Sequence, residues 1–107
     1  MNHDSSEAEL QVEVRTAAAE LGIRCFHPHE SRRDMPGWPD LVLFGRGGLI
    51  FRELKSTAGR VSRDQQLVGA ELARAGADWA VWRPKDWLDG RIHRELNQLA
   101  RVNKITH

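Results

Sequence analysis

The spacing of apolar positions changes several times along the chain, and each change predicts an element. Ser6-Glu7-Ala8-Glu9 has the form of a capping box, a serine followed three residues later by a glutamate. Leu10, Val14, Ala17, Ala18 and Leu21 then recur as one face of a helix, and Gly22 is placed to end it. The run from Ile23 to His27 predicts a short strand. The polar stretch from His29 to Trp38, which carries proline and glycine, predicts a loop. Asp40 to Phe44 reads as a second strand, Gly45 to Gly48 as a turn, and Leu49 to Lys55 as a third strand, so these two strands form a hairpin. After a loop from Ser56 to Val61, Ser62-Arg63-Asp64-Gln65 repeats the capping-box form. Leu67, Val68, Leu72 and Ala75 continue a helix that stops at Gly76. Ala77 to Trp82 predicts the last strand, and Ile92, Leu96, Leu99 and Ala100 mark a final helix. The order is αβββαβ with an extra C-terminal helix. That is an α/β protein with a mixed sheet flanked by helices.

No repeat, low-complexity tract or linker divides the sequence, so residues 1–107 read as one domain. With 40% hydrophobic and 29% charged residues the composition is that of an ordinary soluble globular protein. No apolar run has the length of about 18 residues that a membrane helix needs, so no membrane partner is expected. The first residues lack the basic start and apolar stretch of a signal peptide. A single cysteine, Cys25, cannot form an internal disulfide, which fits a reducing cytoplasm. The net charge is only +1, but its distribution is uneven. Residues 1–22 carry a net −4, residues 23–63 a net +4, and residues 64–107 a net +1. A basic middle surrounding a few acids suits attraction of a polyanion to one surface.

Those few acids carry the candidate chemistry. Alternation along the third predicted strand puts Leu49, Phe51, Glu53 and Lys55 on one side, and Ile50, Arg52 and Leu54 on the other. Glu53 and Lys55 are then neighbours, about 7 Å apart at Cα. Asp40 follows Pro39 at the start of the adjacent strand, so the hairpin brings it towards Glu53. Two close carboxylates repel unless one takes up a proton or a cation sits between them. Hard oxygen donors that leave room for water describe a Mg²⁺ or Mn²⁺ site. A lysine beside it can orient or deprotonate a water, or stabilise charge on a phosphate. Glu-x-Lys alone is usually a solvated pair, and Pro-Asp alone is common turn chemistry. Together, in this order and across a glycine-rich hairpin, they are far more specific.

The runs Pro-Gly-Trp-Pro-Asp-Leu-Val-Leu, Phe-Arg-Glu-Leu-Lys-Ser and Gly-Arg-Val-Ser-Arg-Asp-Gln resemble the VRR-NUC family of the PD-(D/E)XK nuclease superfamily. The later Gly-Ala-Asp-Trp-Ala-Val-Trp-Arg-Pro is similar to that family's closing strand, and the likeness extends from about Glu7 to Trp87. The resemblance implies a restriction-endonuclease-like core and a metal-dependent DNA endonuclease, a phosphodiester hydrolase. It implies that Asp40, Glu53 and the backbone carbonyl of Leu54 bind the metal and that Lys55 positions the attacking water. It gives Gln65 a supporting role at the lysine or the water, although a capping box by itself accounts for a glutamine three residues after Ser62. It also implies a metal-binding glutamate on the first helix. Glu7 lies within the stripe of Leu10, Val14, Ala18 and Leu21, whereas Glu9 lies off its edge and is explained by the cap, so Glu7 is the choice and Glu9 the second.

Ser31, Arg32 and Arg33, before Asp40, are candidate DNA-backbone contacts, because similar basic residues precede the aspartate in related sequences. Arg60 and Arg63 flank a helix start, where anions are also attracted. His27-Pro28-His29 lacks the further ligands of a soft metal site, and loop polarity or a phosphate contact explains it better. Trp38 is the tryptophan best placed to touch DNA. Trp79, Trp82 and Trp87 suggest either core or a homodimer interface in the C-terminal half. Stand-alone members of the family look like Holliday-junction resolvases that act as homodimers. The expected function is therefore structure-specific cleavage of DNA with Mg²⁺ or Mn²⁺ and no organic cofactor. A less selective nuclease or nickase, or a non-catalytic DNA-binding module of the same fold, is the alternative. So compact a nuclease would suit a phage acting in its host's cytoplasm.

Overall fold

The computed structural model describes residues 6–28 and 34–101. Helix α1 spans Glu7–Glu20 and opens on the predicted capping box: Glu9 N donates to Ser6 Oγ (3.1 Å) and Ser6 N to Glu9 Oε1 (2.9 Å). Leu10, Val14 and Ala18 are fully buried, as their spacing required. Leu21 is not part of that face. It is the residue that ends the helix and is exposed, because the chain turns away at Gly22.

Four strands follow: β1 (Arg24–Phe26), β2 (Leu41–Gly45), β3 (Gly48–Leu54) and β4 (Asp78–Trp82). They form one sheet in the order β1-β2-β3-β4. The first two pairings are antiparallel, and β4 joins β3 in parallel, with Phe51 opposite Trp79, Glu53 opposite Val81 and Leu54 opposite Trp82. A parallel neighbour needs a crossover, which helix α2 (Arg63–Arg74) supplies. It lies against β4, where Gly69 accepts the Trp79 ring so closely that a Cβ at this position would overlap it.

The chain then makes two helices where the sequence pattern predicts one. Short helix α3 (Pro84–Leu88) precedes α4 (Arg91–Ala100). Pro84 stands at the first turn, where its missing N–H costs nothing, and Asp86 Oδ2 accepts from Arg83 N (2.8 Å). The core lies between one sheet face, with Leu41, Leu43, Ile50, Leu54 and Trp82, and the helices α1 and α4, with Leu10, Val14, Ala18, Ile92, Leu96 and Leu99.

The three C-terminal tryptophans differ in burial. Trp82 is wholly buried in this core. Trp79 packs on Gly69, and Trp87 leans on the core and on His93, with ring centroids 4.4 Å apart. Trp79 and Trp87 remain part-exposed. Among the described residues, no helix is long and apolar enough to cross a membrane.

Candidate active site

The β2–β3 hairpin brings Asp40 and Glu53 together, and each carboxyl is fixed by the fold. Asp40 precedes β2, and its Oδ2 accepts from the backbone N of Leu54 at 2.7 Å. Its carbonyl accepts a hydrogen bond from His27 Nδ1 at 2.8 Å, which requires the proton on that ring nitrogen. His27 is thus a support for the Asp40 backbone. The approach to Asp40 is anchored as well. Pro39 is buried and Trp38 packs edge-on against Phe51 of β3, 5.8 Å between centroids. The turn before it is closed by Trp38 N donating to Met35 O (3.1 Å). Gly37 in that turn has φ +91°, and a Cβ there would overlap the Asp64 carbonyl in the first turn of α2.

Glu53 is 1% exposed, on the sheet face away from the main core. Gln65 Nε2 donates to its Oε2 at 2.5 Å, and Lys55 Nζ stands 3.7 Å from the same oxygen. Its other oxygen, Oε1, is buried, and no donor among the described residues bonds to it. The Glu53 carboxyl is pushed up to about 9. Burial is the largest cause, followed by the charge of Asp40 and a hydrogen bond shared with its carboxyl; Lys55 opposes the shift and Glu7 adds to it. Without a cation, the Glu53 carboxyl therefore favours its protonated form at neutral pH.

Gln65 both completes the cap and donates to Glu53. Its backbone N donates to Ser62 Oγ (3.1 Å), and its side-chain Oε1 accepts from Ser62 N (2.8 Å). Because that oxygen must face an N–H, the amide nitrogen must face Glu53. The helix cap therefore dictates the polarity of the donor offered to the acidic pair.

Glu7, at the exposed start of the α1 core stripe, is close enough to Glu53 to repel it, while Glu9 is occupied in the cap. Among the described residues, no group of three or more His, Cys, Asp or Glu side chains converges tightly enough to hold a metal by itself. Glu7 therefore adds negative charge to an Asp40–Glu53 pair without completing a three-carboxylate cluster. Arg60 and Arg63 lie exposed beside the Ser62 cap, on the loop and helix start that follow Lys55. Ser31, Arg32 and Arg33, and with them His29, lie outside the described residues.

A divalent cation fits what is present. A buried carboxyl that resists ionising alone, the second carboxyl of Asp40 beside it, and the backbone carbonyl of Leu54 make a hard, all-oxygen donor set. So few protein donors leave the remaining positions to water, the usual manner of Mg²⁺ binding.

Glu7→Gln is expected to weaken Mn²⁺ binding, measured by calorimetry, more than Glu9→Gln does. Glu9→Gln is expected to lower stability by no more than about 1 kcal/mol through the cap. The opposite ranking of Mn²⁺ affinities would assign the role to Glu9.

No protein-family profile matches the chain, and no curated protein or solved structure matches it.

Proposed function

We propose that the chain is a metal-dependent DNA endonuclease of the restriction-endonuclease-like class, as its resemblance to VRR-NUC nucleases implies. The observation that carries the reading is the buried Glu53 carboxyl, with one oxygen given no donor by the described residues, Asp40 close by and Lys55 Nζ 3.7 Å away. A structural ion pair would not need a second carboxyl pressed against the first at the cost of a pKa near 9.

Asp40, Glu53 and the Leu54 carbonyl would hold Mg²⁺ or Mn²⁺. The ion would supply Lewis-acid stabilisation of a phosphoryl oxygen and make its bound water more acidic. Gln65 keeps Glu53 oriented by a charge-assisted hydrogen bond. Lys55 orients the attacking water and offsets the charge that builds on the phosphate. Arg60 and Arg63, and Ser31, Arg32 and Arg33 in the loop before Asp40, would grip the DNA backbone on either side.

Structure-specific cleavage by a homodimer, as in a Holliday-junction resolvase, is the refinement we favour. A two-fold pair would set two active sites for symmetric nicks. Trp82, wholly buried in the core, does not strengthen that case, while Trp79 and Trp87 keep part of their surface exposed.

Purified protein incubated with labelled four-way junction, flap, duplex and single-stranded DNA, with Mg²⁺, Mn²⁺ or chelator, tests the function. Cleavage is expected with metal only, and best on branched DNA. Lys55→Ala is expected to retain Mn²⁺ and DNA binding while turnover falls by roughly 10²-fold or more. A variant that cuts normally once saturated with DNA would reduce Lys55 to a phosphate contact. Metal-dependent binding of DNA with no cleavage of any substrate would instead favour the non-catalytic module.

A further inference from the structure

The segment that leaves β3 is tied down by a side chain outside the acidic pair. We infer that Arg83 is a positioning residue, which fixes the 56–61 loop and so the two site side chains at its ends, Lys55 and Gln65. Its consequence for turnover rests on the nuclease reading; the tethering of the loop does not.

Beyond Leu54 the chain makes one more contact with the neighbouring strand, Lys55 N to Trp82 O at 3.0 Å. From there to the Ser62 cap it pairs with no strand among the described residues, so its carbonyls lack ladder donors there. Gln66 Nε2 donates to Val61 O (3.3 Å), and Arg83 supplies donors to two others. Its Nη1 donates to Ser56 O at 2.9 Å and to Gly59 O at 2.7 Å, across 27 and 24 residues of sequence.

Water could satisfy the same two carbonyls, but water could not tie them to the end of β4. The contribution of the guanidinium is therefore location. Arg83 is itself well seated. It follows the buried Trp82, its N–H is held by Asp86, and the buried Pro84 comes next. The loop it grips is tight: Gly59 N donates to Ser56 O (3.3 Å), and a Cβ on Gly59 would stand 2.8 Å from Ser56 Oγ.

The far end of the loop is Ser62, whose cap orients the Gln65 amide towards Glu53. The near end is Lys55, 3.7 Å from the same carboxylate. A loop free to shift would move both groups relative to Glu53. A displacement of about 1 Å at a reacting centre can cost on the order of 10²-fold in rate. Arg83 also lines an open groove of about 520 Å³ with Thr57, Arg60 and Gln66, so direct contact with a DNA phosphate is the competing role.

The test compares wild type with Arg83→Met, which keeps the apolar stem, and with Arg83→Lys, which restores donors to the same place. Far-UV circular dichroism checks that each is folded. Amide hydrogen exchange is expected to speed up about tenfold or more at Thr57–Val61 in Arg83→Met, with β3 and β4 unchanged, and to recover in part in Arg83→Lys. In the metal-dependent cleavage assay kcat is expected to fall about 10- to 100-fold in Arg83→Met, with KM for DNA within about twofold, and the lysine variant to be partly rescued. Unchanged exchange in both variants would overturn the inference. So would a rise in KM at constant kcat, which would make Arg83 a phosphate contact. If the wild-type chain cuts no DNA, the nuclease reading fails by itself, and the exchange comparison still decides whether Arg83 holds the loop.

Discussion

Asp40→Asn and Glu53→Gln are each expected to lower cleavage by roughly 10²–10³-fold or more, the scale on which one electrostatic contact at a transition state is lost. Neither is expected to unfold the chain. In the absence of metal, Glu53→Gln should be more stable than wild type at neutral pH. The reason lies in the pair itself. Glu53 in the folded chain takes up a proton near pH 9, chiefly because burial and then Asp40 disfavour its charge. In the unfolded chain it does so near pH 4.3. Between those values the folded state holds one proton more than the unfolded state. Raising the pH removes that proton at the expense of the fold, so stability falls as pH rises, by at most about 1.4 kcal/mol per unit for one proton. The decline should begin just above pH 4 and level off above pH 9.

Urea unfolding at pH 5, 7 and 9 in chelator is the measurement. Wild type should weaken across the series, and Glu53→Gln should weaken less. Mn²⁺ should reverse the trend in wild type, because a cation between the carboxyls replaces the proton. It should do so far less in Asp40→Asn. Parallel curves for wild type and Glu53→Gln would remove the basis for a strained acidic pair, and with it the argument for a metal there.

The second large effect is expected away from the site, at Arg52. It is 3% exposed on the core-facing side of β3, between Ile50 and Leu54. Its guanidinium meets Glu95 (2.7 Å) and Asp78 (2.9 Å) and lies 5.2 Å from the centre of the Trp82 ring. Glu95 is shared further: Trp82 Nε1 donates to its Oε1 at 3.0 Å and Arg91 Nε to its Oε2 at 2.8 Å. Burial would push the Glu95 carboxyl up, but Arg52 and Arg91 together hold it below the usual range.

Removing Arg52 takes one of two arginines from Glu95, which keeps Arg91, and Asp78 is 60% exposed to water. The cost is expected at or below the low end of that for breaking a buried pair, about 2–3 kcal/mol. That is a large part of the 5–15 kcal/mol that ordinarily holds a small domain folded. Arg52→Ala is therefore expected to melt roughly 10 °C or more below wild type, by thermal circular dichroism. Replacing Arg52 and Glu95 together with Met and Leu should recover much of the loss, since it removes both charges. A single Arg52→Ala variant that melts within a few degrees of wild type would show the network to be dispensable.

The sequence by itself determined the elements and the chemistry of the pair. Capping boxes at Ser6 and Ser62, helical spacing from Leu10 to Ala18, and alternation along Leu49–Lys55 are local patterns, set by backbone geometry within a few residues. They are visible without knowing what packs on them. The Pro39-Asp40 start and the Glu53-x-Lys55 spacing are equally local, so the acidic pair was legible. Helix α3 was legible in principle, from Pro84 at its first turn and Asp86 two residues later. Its five residues are too few for an apolar period to stand out.

What the tertiary structure decided depends on groups distant in sequence. Arg52 stands at a core position that a pattern of polar and apolar letters marks as ordinary strand alternation. Only Glu95 and Asp78, brought beside it by α4 and β4, make its burial tolerable. Trp82 becomes core, and Trp79 finds its place on Gly69, because β4 is laid parallel to β3 by the α2 crossover. His27 reaches the Asp40 carbonyl, and Arg83 the Ser56 and Gly59 carbonyls, across 13 to 27 residues. Gln65 could serve the cap and Glu53 at once only after α2 had been set against the sheet. Cap and strand preferences act along the chain; desolvation and hydrogen-bond satisfaction act through space, and they settle which polar side chains can be buried.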